Sequence, residues 1–440
     1  MDILTGAAAA CVPGGFGDDR EMIGGACAIP SRICLRPALL ACAAAVVAGV
    51  IDCPREAPAQ LPPASRPAAV TKEIAPVTTR LSRKVDRVID GHVHFRRFSR
   101  LEPFLQLRQQ VGVDRMNVVC ILNPATAEGN AMALVAKAAG AGTIYCFGGL
   151  DHTTYKSGGK VKVPSLADQV DLLMEAGFDG VKLIEGKPSV RHDWYPFDMD
   201  GDYYRDFWAR AEQRDVPIVW HVADPAAFWG AKGSSQPDWN YGGEHPTKDR
   251  LHQEVDNVLT RHRRLRVMLA HFSFLAGDLP RLTKLMTDHP NARLDMALGW
   301  DLLYELSDDV GKSRAFFLAF QDRIVYGTDT SDRNHPSLAR QKAQAIRRFL
   351  ETDETFTLRG QKGSGGRTKI RGLSLPKEVL AKIYASNFEA LAGADPKPLD
   401  MVKAKAYCRR AAEVTAALTG TAPADTTPGQ ALAALEKIRP

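Results

Sequence analysis

The chain has 440 residues, 45% of them hydrophobic and 25% charged, with eight cysteines and a formal net charge of +6. That length and balance suit one large soluble domain or two modest ones. The scattered positive charge leaves no footprint for nucleic acid, and the three cysteines beyond residue 60 (Cys120, Cys146 and Cys408) form neither a disulfide framework nor a Cys-x-x-Cys metal site.

Residues 1–59 read as a leader. Arg32 and Arg36 precede an apolar run over 38–51, and Ala57-Pro58-Ala59 stands before Gln60. This is the charged, apolar, small-x-small order of a secretory signal peptide. The run is too short for a comfortable membrane span, so no integral span is expected in the mature chain. Met22 as the start would leave a normal n-region, and Leu39-Leu40-Ala41-Cys42 has a lipobox flavour but sits at the beginning of the run. The expectation is export, to a periplasm or beyond; a miscalled N-terminus would leave the protein cytoplasmic. Residues 60–85, rich in proline and alanine, read as an extended linker.

From residue 84 short apolar runs alternate with helix-period stretches. Residues 87–95 (R-V-I-D-G-H-V-H-F) are the first strand, 101–111 a helix, 115–122 the second strand and 127–139 an alanine-rich helix. Strand three covers 142–150. Ser165 is an N-cap for a helix over 166–176 that Gly177 stops. Strand four is 180–186 (G-V-K-L-I-E-G), followed by a helix over 202–214. Strand five is 217–224, then a long loop and a helix over 248–261. Strand six is 266–274, with a helix over 278–287, and strand seven is 292–299, with a helix near 313–320. Strand eight is 324–330, and helices over 336–350 and 376–391 follow it. Eight strands each trailed by a helix imply a parallel sheet with right-handed crossovers, and residues 86–395 suit a closed (β/α)8 TIM barrel. The rival is an open doubly wound sheet, but no Gly-x-Gly-x-x-Gly turn follows any strand. Residues 396–440 read as a helical tail with a polar break at 421–429.

A barrel gathers its chemistry at the C-terminal ends of its strands. His92 and His94 alternate along strand one and so share a face. His-x-His alone is a weak signal. His221 ends strand five, His271 lies in strand six and Asp329 in strand eight, so five candidate ligands converge on one mouth. Neutral imidazole and carboxylate suit Zn2+ or another first-row divalent cation.

With G-F-D-G-V-K-L-I-E-G-K-P, P-I-V-W-H-V-A-D-P, L-A-H-F, Y-G-T-D-T and K-I-Y-A-S-N-F-E-A-L, the pattern over residues 86–395 resembles the amidohydrolase superfamily. More narrowly it is similar to the branch related to aminocarboxymuconate-semialdehyde decarboxylase. The resemblance implies His92, His94, His221 and Asp329 as metal ligands. It implies His271 as a second-metal ligand or, with one ion, as an acid/base. Two-metal relatives carry a carboxylated lysine or a glutamate on strand four. Lys182 and Glu185 lie there three positions apart, so on a regular strand only one of them faces the interior.

The chemistry expected is attack of a metal-activated water on an ester, lactone or amide carbonyl, with Asp329 accepting a proton and His271 polarising the carbonyl or protonating the leaving group. The alternative is non-oxidative decarboxylation on the same barrel, and a third is a metal-binding barrel without catalysis. Lys187 and Arg191 are candidates to hold a substrate carboxylate. Phe228, Trp229, Trp239 and Tyr241 are candidate lid aromatics in the loop after strand five, with Trp229 a candidate substrate contact, and His152 is a candidate group past strand three. Trp300 and Asp301 close strand seven without an assigned role. Residues 360–371, glycine-rich and basic, lack Walker spacing and read as a flexible surface insertion. The partner expected is a small-molecule substrate, with the chain as a candidate homo-oligomer.

Overall fold

The computed structural model describes residues 84–123, 128–230 and 239–438. The leader over 1–59 and all but the end of the 60–85 linker lie outside the described residues. Among the described residues no helix is long and apolar enough to cross a membrane.

Seven strands pair in sequence order, all parallel: β1 (Ile89–His94), β2 (Arg115–Val119), β3 (Ile144–Gly149), β4 (Gly180–Gly186), β5 (Pro217–Val222), β6 (Arg266–Leu269) and β7 (Ala292–Asp295). The expected eighth strand is broken into two pieces. β8 (Ile324–Val325) pairs with β7, and β9 (Thr330–Ser331) pairs with β1. Between them the Gly91 N–H donates to Tyr326 O and the Asp329 N–H donates to His92 O, both at 2.9 Å. One segment therefore spans both edges of the curled sheet, as a β/α barrel requires. The break has a backbone cause, because Asp329 sits at φ 53° and cannot continue an extended run. At Gly91 an added Cβ would stand 2.8 Å from Val325 Cγ1, so only glycine lets β1 and β8 approach.

Strand alternation sorts the core into two shells. Val88, Val118, Val181, Ile218, Val267 and Leu294 pack outward against the helices. Ile89, Val119, Phe147, Val219, Met268 and Val325 fill the interior. The helix 166–176 is observed as Leu166–Ala176, with Ser165 Oγ accepting from the Asp168 N–H and Gly177 at φ 95° ending it.

The helix expected over 376–391 is three pieces instead. Lys377–Ala381 runs into a π-helical turn at Lys382–Ser386, then Asn387–Ala392. The turn frees a carbonyl, and Ile383 O accepts from the Tyr326 N–H (2.9 Å). Asn387–Ala392 carries Phe388 and Leu391 into the inner shell, where Phe388 stacks edge-on to Tyr145 at 5.0 Å. Arg115 at the start of β2 bonds Ala394 O, and Arg266 at the start of β6 bonds Leu391 O. The segment thus closes the barrel at the N-terminal ends of its strands, opposite the expected mouth.

The tail is helical as expected. Met401–Thr419 packs on Leu166–Ala176, and Thr427–Lys437 on Gly129–Ala139. The stretch 360–371 is pinned rather than free: the Ser364 N–H and Oγ both reach the Asp301 carboxylate, and Arg367 pairs with Asp308. The three cysteines are free and buried.

Because Phe388 is wholly buried where strands from several sides converge, Phe388→Ala should cost about 3–5 kcal/mol of stability. Equilibrium urea unfolding followed by circular dichroism measures this; a loss below about 1 kcal/mol would mean that the ring does not fill the interior.

Candidate metal centre

The sheet brings the expected ligands to one end. His92 and His94 leave β1, and Asp329 follows β8; their donor atoms all lie within 4.8 Å of one another. Donors around one zinc ion, at bonds of about 2.0–2.1 Å, stand roughly 3.3–4.2 Å apart, so small side-chain shifts suffice. His94 Nε2 lies 3.3 Å from Asp329 Oδ1. Four imidazoles stand in a row: His94 to His92 at 5.2 Å between ring centroids, His92 to His271 at 5.1 Å, and His271 to His221 at 5.0 Å.

The far side of each ring is anchored. His94 Nδ1 bonds Val119 O (3.0 Å), His271 Nδ1 bonds Ala297 O (2.9 Å) and His92 Nδ1 bonds Asp295 Oδ2 (2.7 Å). A carbonyl only accepts, so Nδ1 carries the proton and Nε2 keeps its lone pair. His92 Nε2 is buried with no hydrogen-bond partner among the described residues. His221 differs. Its Nε2 lies 3.3 Å from Asp224 Oδ1, which leaves Nδ1 as the nitrogen available to a cation, and it stands beside the tight group rather than in it.

Burial lowers all four imidazoles. It holds His92 well below its ordinary range, with the charges of Lys182 and His271 adding to the effect. It pushes His94 to about 4, helped by Arg96 and opposed by Asp329. It pushes His271 to about 4, with His221 adding, and it lowers His221 against the pull of Asp224. Neutral imidazole is the ligating form. Burial alone would raise Asp329, but the hydrogen bond to His94 and the charge of Lys342 hold it well below the carboxylate range.

The backbone at the mouth is unusual. His271, Phe272, Ser273 and Phe274 all take left-handed φ values of 51–56°, so β6 ends at Leu269 and His271 is presented by a left-handed turn, not by the strand. Ala223 after β5 and Asp329 after β8 are left-handed as well. Such conformations are costly for non-glycine residues and gather at functional sites.

Asp295, at the end of β7, was not singled out by the sequence. It accepts from the His92 ring, from the His271 N–H (2.7 Å) and from the Ala297 N–H (3.0 Å), wholly buried. The only trace is an acid at the end of an apolar run, one of many in the chain. Asp90 on β1 is buried too, accepting from the Thr328 N–H and Oγ1, and burial raises it to about 7.

Strand four corrects an expectation. Leu183 pairs with Trp220 and Gly186 with Val222, so β4 holds an extra residue over that span. The regular spacing on which the opposite-face expectation depended is broken there, and Lys182 and Glu185 are both buried. Lys182 Nζ has no partner among the described residues, and burial lowers it to about 8 against the pull of Asp295, Asp329 and Glu185. Glu185 Oε1 bonds His152 Nε2 (2.8 Å), whose Nδ1 bonds Tyr203 Oη (3.0 Å).

The candidates for a substrate carboxylate are committed elsewhere. Lys187 pairs with Asp224, and Arg191 pairs with Glu254 (2.6 Å) and Asp198 (2.5 Å). Trp229 Nε1 donates to Pro246 O, its ring lies 5.0 Å from Tyr241, and Lys187 sits over Trp239 at 4.5 Å. The described part of that loop thus packs on its own aromatics, and Tyr241 Oη ties it to Asp224 (2.5 Å). Beside His271 a cleft of about 350 Å³, counting its open mouth, is lined by Pro225, Phe274, Gly299, Asp301 and Glu305.

A family model described as Amidohydrolase matches residues 89–391. No curated protein matches the chain. Solved structures similar to it include the probable 2-pyrone-4,6-dicarboxylic acid hydrolase of Acinetobacter baumannii (13% identity, 70% of this chain and 100% of that one, TM-score 0.45). Others are 2,6-dihydroxybenzoate decarboxylase from Rhizobium (13%, 70% and 98%, 0.45) and 5-carboxyvanillate decarboxylase of Sphingomonas paucimobilis (10%, 70% and 98%, 0.43). At such scores they bear no weight on the chemistry.

Removing the Asp295 carboxylate strands a ring nitrogen and two buried N–H groups. Asp295→Ala should therefore lower stability by about 2–4 kcal/mol in urea unfolding; no measurable change would show that water replaces the carboxylate freely.

Proposed function

This chain belongs to the amidohydrolase family, and from that premise we propose that it is a metal-dependent hydrolase of a small-molecule ester, lactone or amide. The observation that carries the reading is the close set of His92, His94 and Asp329, with His92 Nε2 buried and unpartnered. A ring nitrogen shut away from water costs free energy unless something takes its lone pair. The donor set, neutral imidazole with a carboxylate kept ionised, fits Zn2+. His271 and His221 extend the set towards a second ion, and Lys182, its amine unpartnered, is the residue for a carboxylated bridge.

When bound, the cation supplies Lewis acidity and a more acidic water. The residues do the rest. Asp329 is ionised at neutral pH and takes the proton of the attacking water as the O–C bond forms. The proton taken by Asp329 passes on to the leaving group as the C–O or C–N bond breaks, and His271, neutral and oriented by Ala297 O, presents an unprotonated Nε2 that accepts and relays it. Asp295 keeps the His92 ring in one orientation and pins the His271 backbone beside it. The run of charged, apolar and small residues ahead of Gln60 supports export.

The test is metal analysis after mild purification, followed by chelation and readdition during a screen of esters, lactones, amides and aromatic carboxylates in heavy-oxygen water. Turnover should vanish on chelation and return with the ion, with solvent oxygen in the product. CO2 release without solvent oxygen would make the protein a lyase, and bound metal with no turnover would favour a binding role. His92→Ala and Asp329→Ala should each weaken metal retention by at least roughly 100-fold.

A proton competes with the cation for each Nε2. Because burial holds His94 and His271 near 4, metal should stay bound through about pH 6 and be lost only below about pH 5. Equilibrium dialysis with elemental analysis reads this; release near the ordinary histidine value of about 6.5 would contradict it.

A further inference from the structure

Asp301 and Glu305 stand one turn apart on the helix Trp300–Leu306 that follows β7, both half-buried. Acids at i and i+4 share a helix face and repel there, so nothing in the helix itself favours the pair. Asp301 is held by the 360–371 segment: the Ser364 N–H reaches Oδ1 (2.5 Å) and Ser364 Oγ reaches Oδ2 (3.0 Å). Glu305 sits over the backbone at Gly277, where an added Cβ would stand 3.3 Å from its carboxyl carbon. Neither acid forms an ion pair with any described residue. The cations near them are turned elsewhere: Lys248 donates to Phe274 O (2.5 Å), and Arg367 pairs with Asp308 (2.8 Å). Both acids line the cleft of about 350 Å³ beside His271, counting its open mouth. Pro225, Phe274 and Leu302 give it apolar wall, and among the described residues no lysine or arginine lines it. His271 is 9% exposed; its Nδ1 is taken by Ala297 O, and its Nε2 makes no hydrogen bond with any described residue. An imidazole of the metal centre thus opens on a chamber whose carboxylates have no counter-charge in its wall.

Carboxylates drawn partly out of water are best satisfied by a cation that donates several hydrogen bonds. Burial raises the Glu305 carboxyl, and the Asp301 charge adds to this. A positive group between the two would offset that repulsion. We propose that this cleft binds a positively charged nitrogen group of the substrate, so that the molecule turned over offers its carbonyl to the metal centre and its cation to Asp301 and Glu305. This rests on the hydrolase reading above. Were the two acids only ties for the 360–371 segment and for the Gly277 backbone, removing their charge would change stability and leave cation binding alone.

The experiment is calorimetric titration of the full chain, with metal content measured on the same sample. The probes are benzamidine against benzamide, which differ in charge and little in shape, and butylammonium against 1-butanol. The wild type should prefer at least one cation over its neutral match by about tenfold or more. Asp301→Asn and Glu305→Gln, which remove charge and keep shape, should each weaken that cation by roughly fivefold or more, and the double variant should abolish the preference. Metal content and binding of the neutral probes should be unchanged in all three. A wild type with no preference for either cation, or an undiminished preference in the folded double variant, overturns the proposal. A wild type that holds no metal yet shows the acid-dependent preference supports the cation site and counts against the hydrolase reading. A metal-loaded wild type that hydrolyses esters without any such preference keeps the hydrolase reading and removes the cation.

Discussion

Asp295 is wholly buried, and its two oxygens serve three donors, two of which arrive from other parts of the barrel. A buried carboxylate is tolerated only when its lone pairs are engaged. Here the His92 ring comes from β1 and the His271 N–H from the turn after β6, while the carboxylate itself comes from β7. One residue therefore fixes two histidines that are remote in sequence. Asp295 sets the rotation of the His92 ring and holds the His271 backbone, while Ala297 O sets the rotation of the His271 ring. Loosen these bonds, and four adjacent imidazoles become an ordinary buried cluster.

The same division runs through the whole mouth. Below, the strands pair regularly and the side chains alternate between two apolar shells. Above, regularity is given up residue by residue: a bulge in β1 before Val93, another in β4 before Gly186, left-handed backbone at Ala223, at 271–274 and at Asp329. Departures of this kind re-aim side chains away from the directions a regular strand imposes. The regular lower barrel supplies the stability against which these local costs are tolerated.

That division also decides what could be read from the sequence. The strand and helix order was legible because it depends on local periodicity, and so was the cap pair at Ser165 and Gly177. His-x-His was legible because two histidines at strand spacing share a face on any strand. The joint burial of Lys182 and Glu185 was not, since a bulge is a property of two strands and leaves no mark on either one. Asp295 was hidden because an acid after an apolar run is commonplace; its meaning comes from donors 203 and 24 residues away. The ion pair of Arg191 was hidden for the converse reason, because its partner Glu254 is 63 residues on.

The closure of the barrel floor by Asn387–Ala392 bears on how the molecule is made. Phe388 and Leu391 belong to the same interior as Ile89, yet they are separated from it by nearly the whole barrel sequence. During synthesis the early β/α units would emerge with one end of their interior still wet. Long-range closure of this kind is slow, because chain entropy is lost before the contact is gained. The final consolidation waits for the ribosome to deliver Asn387–Ala392, and until then a chaperone would find the apolar underside exposed.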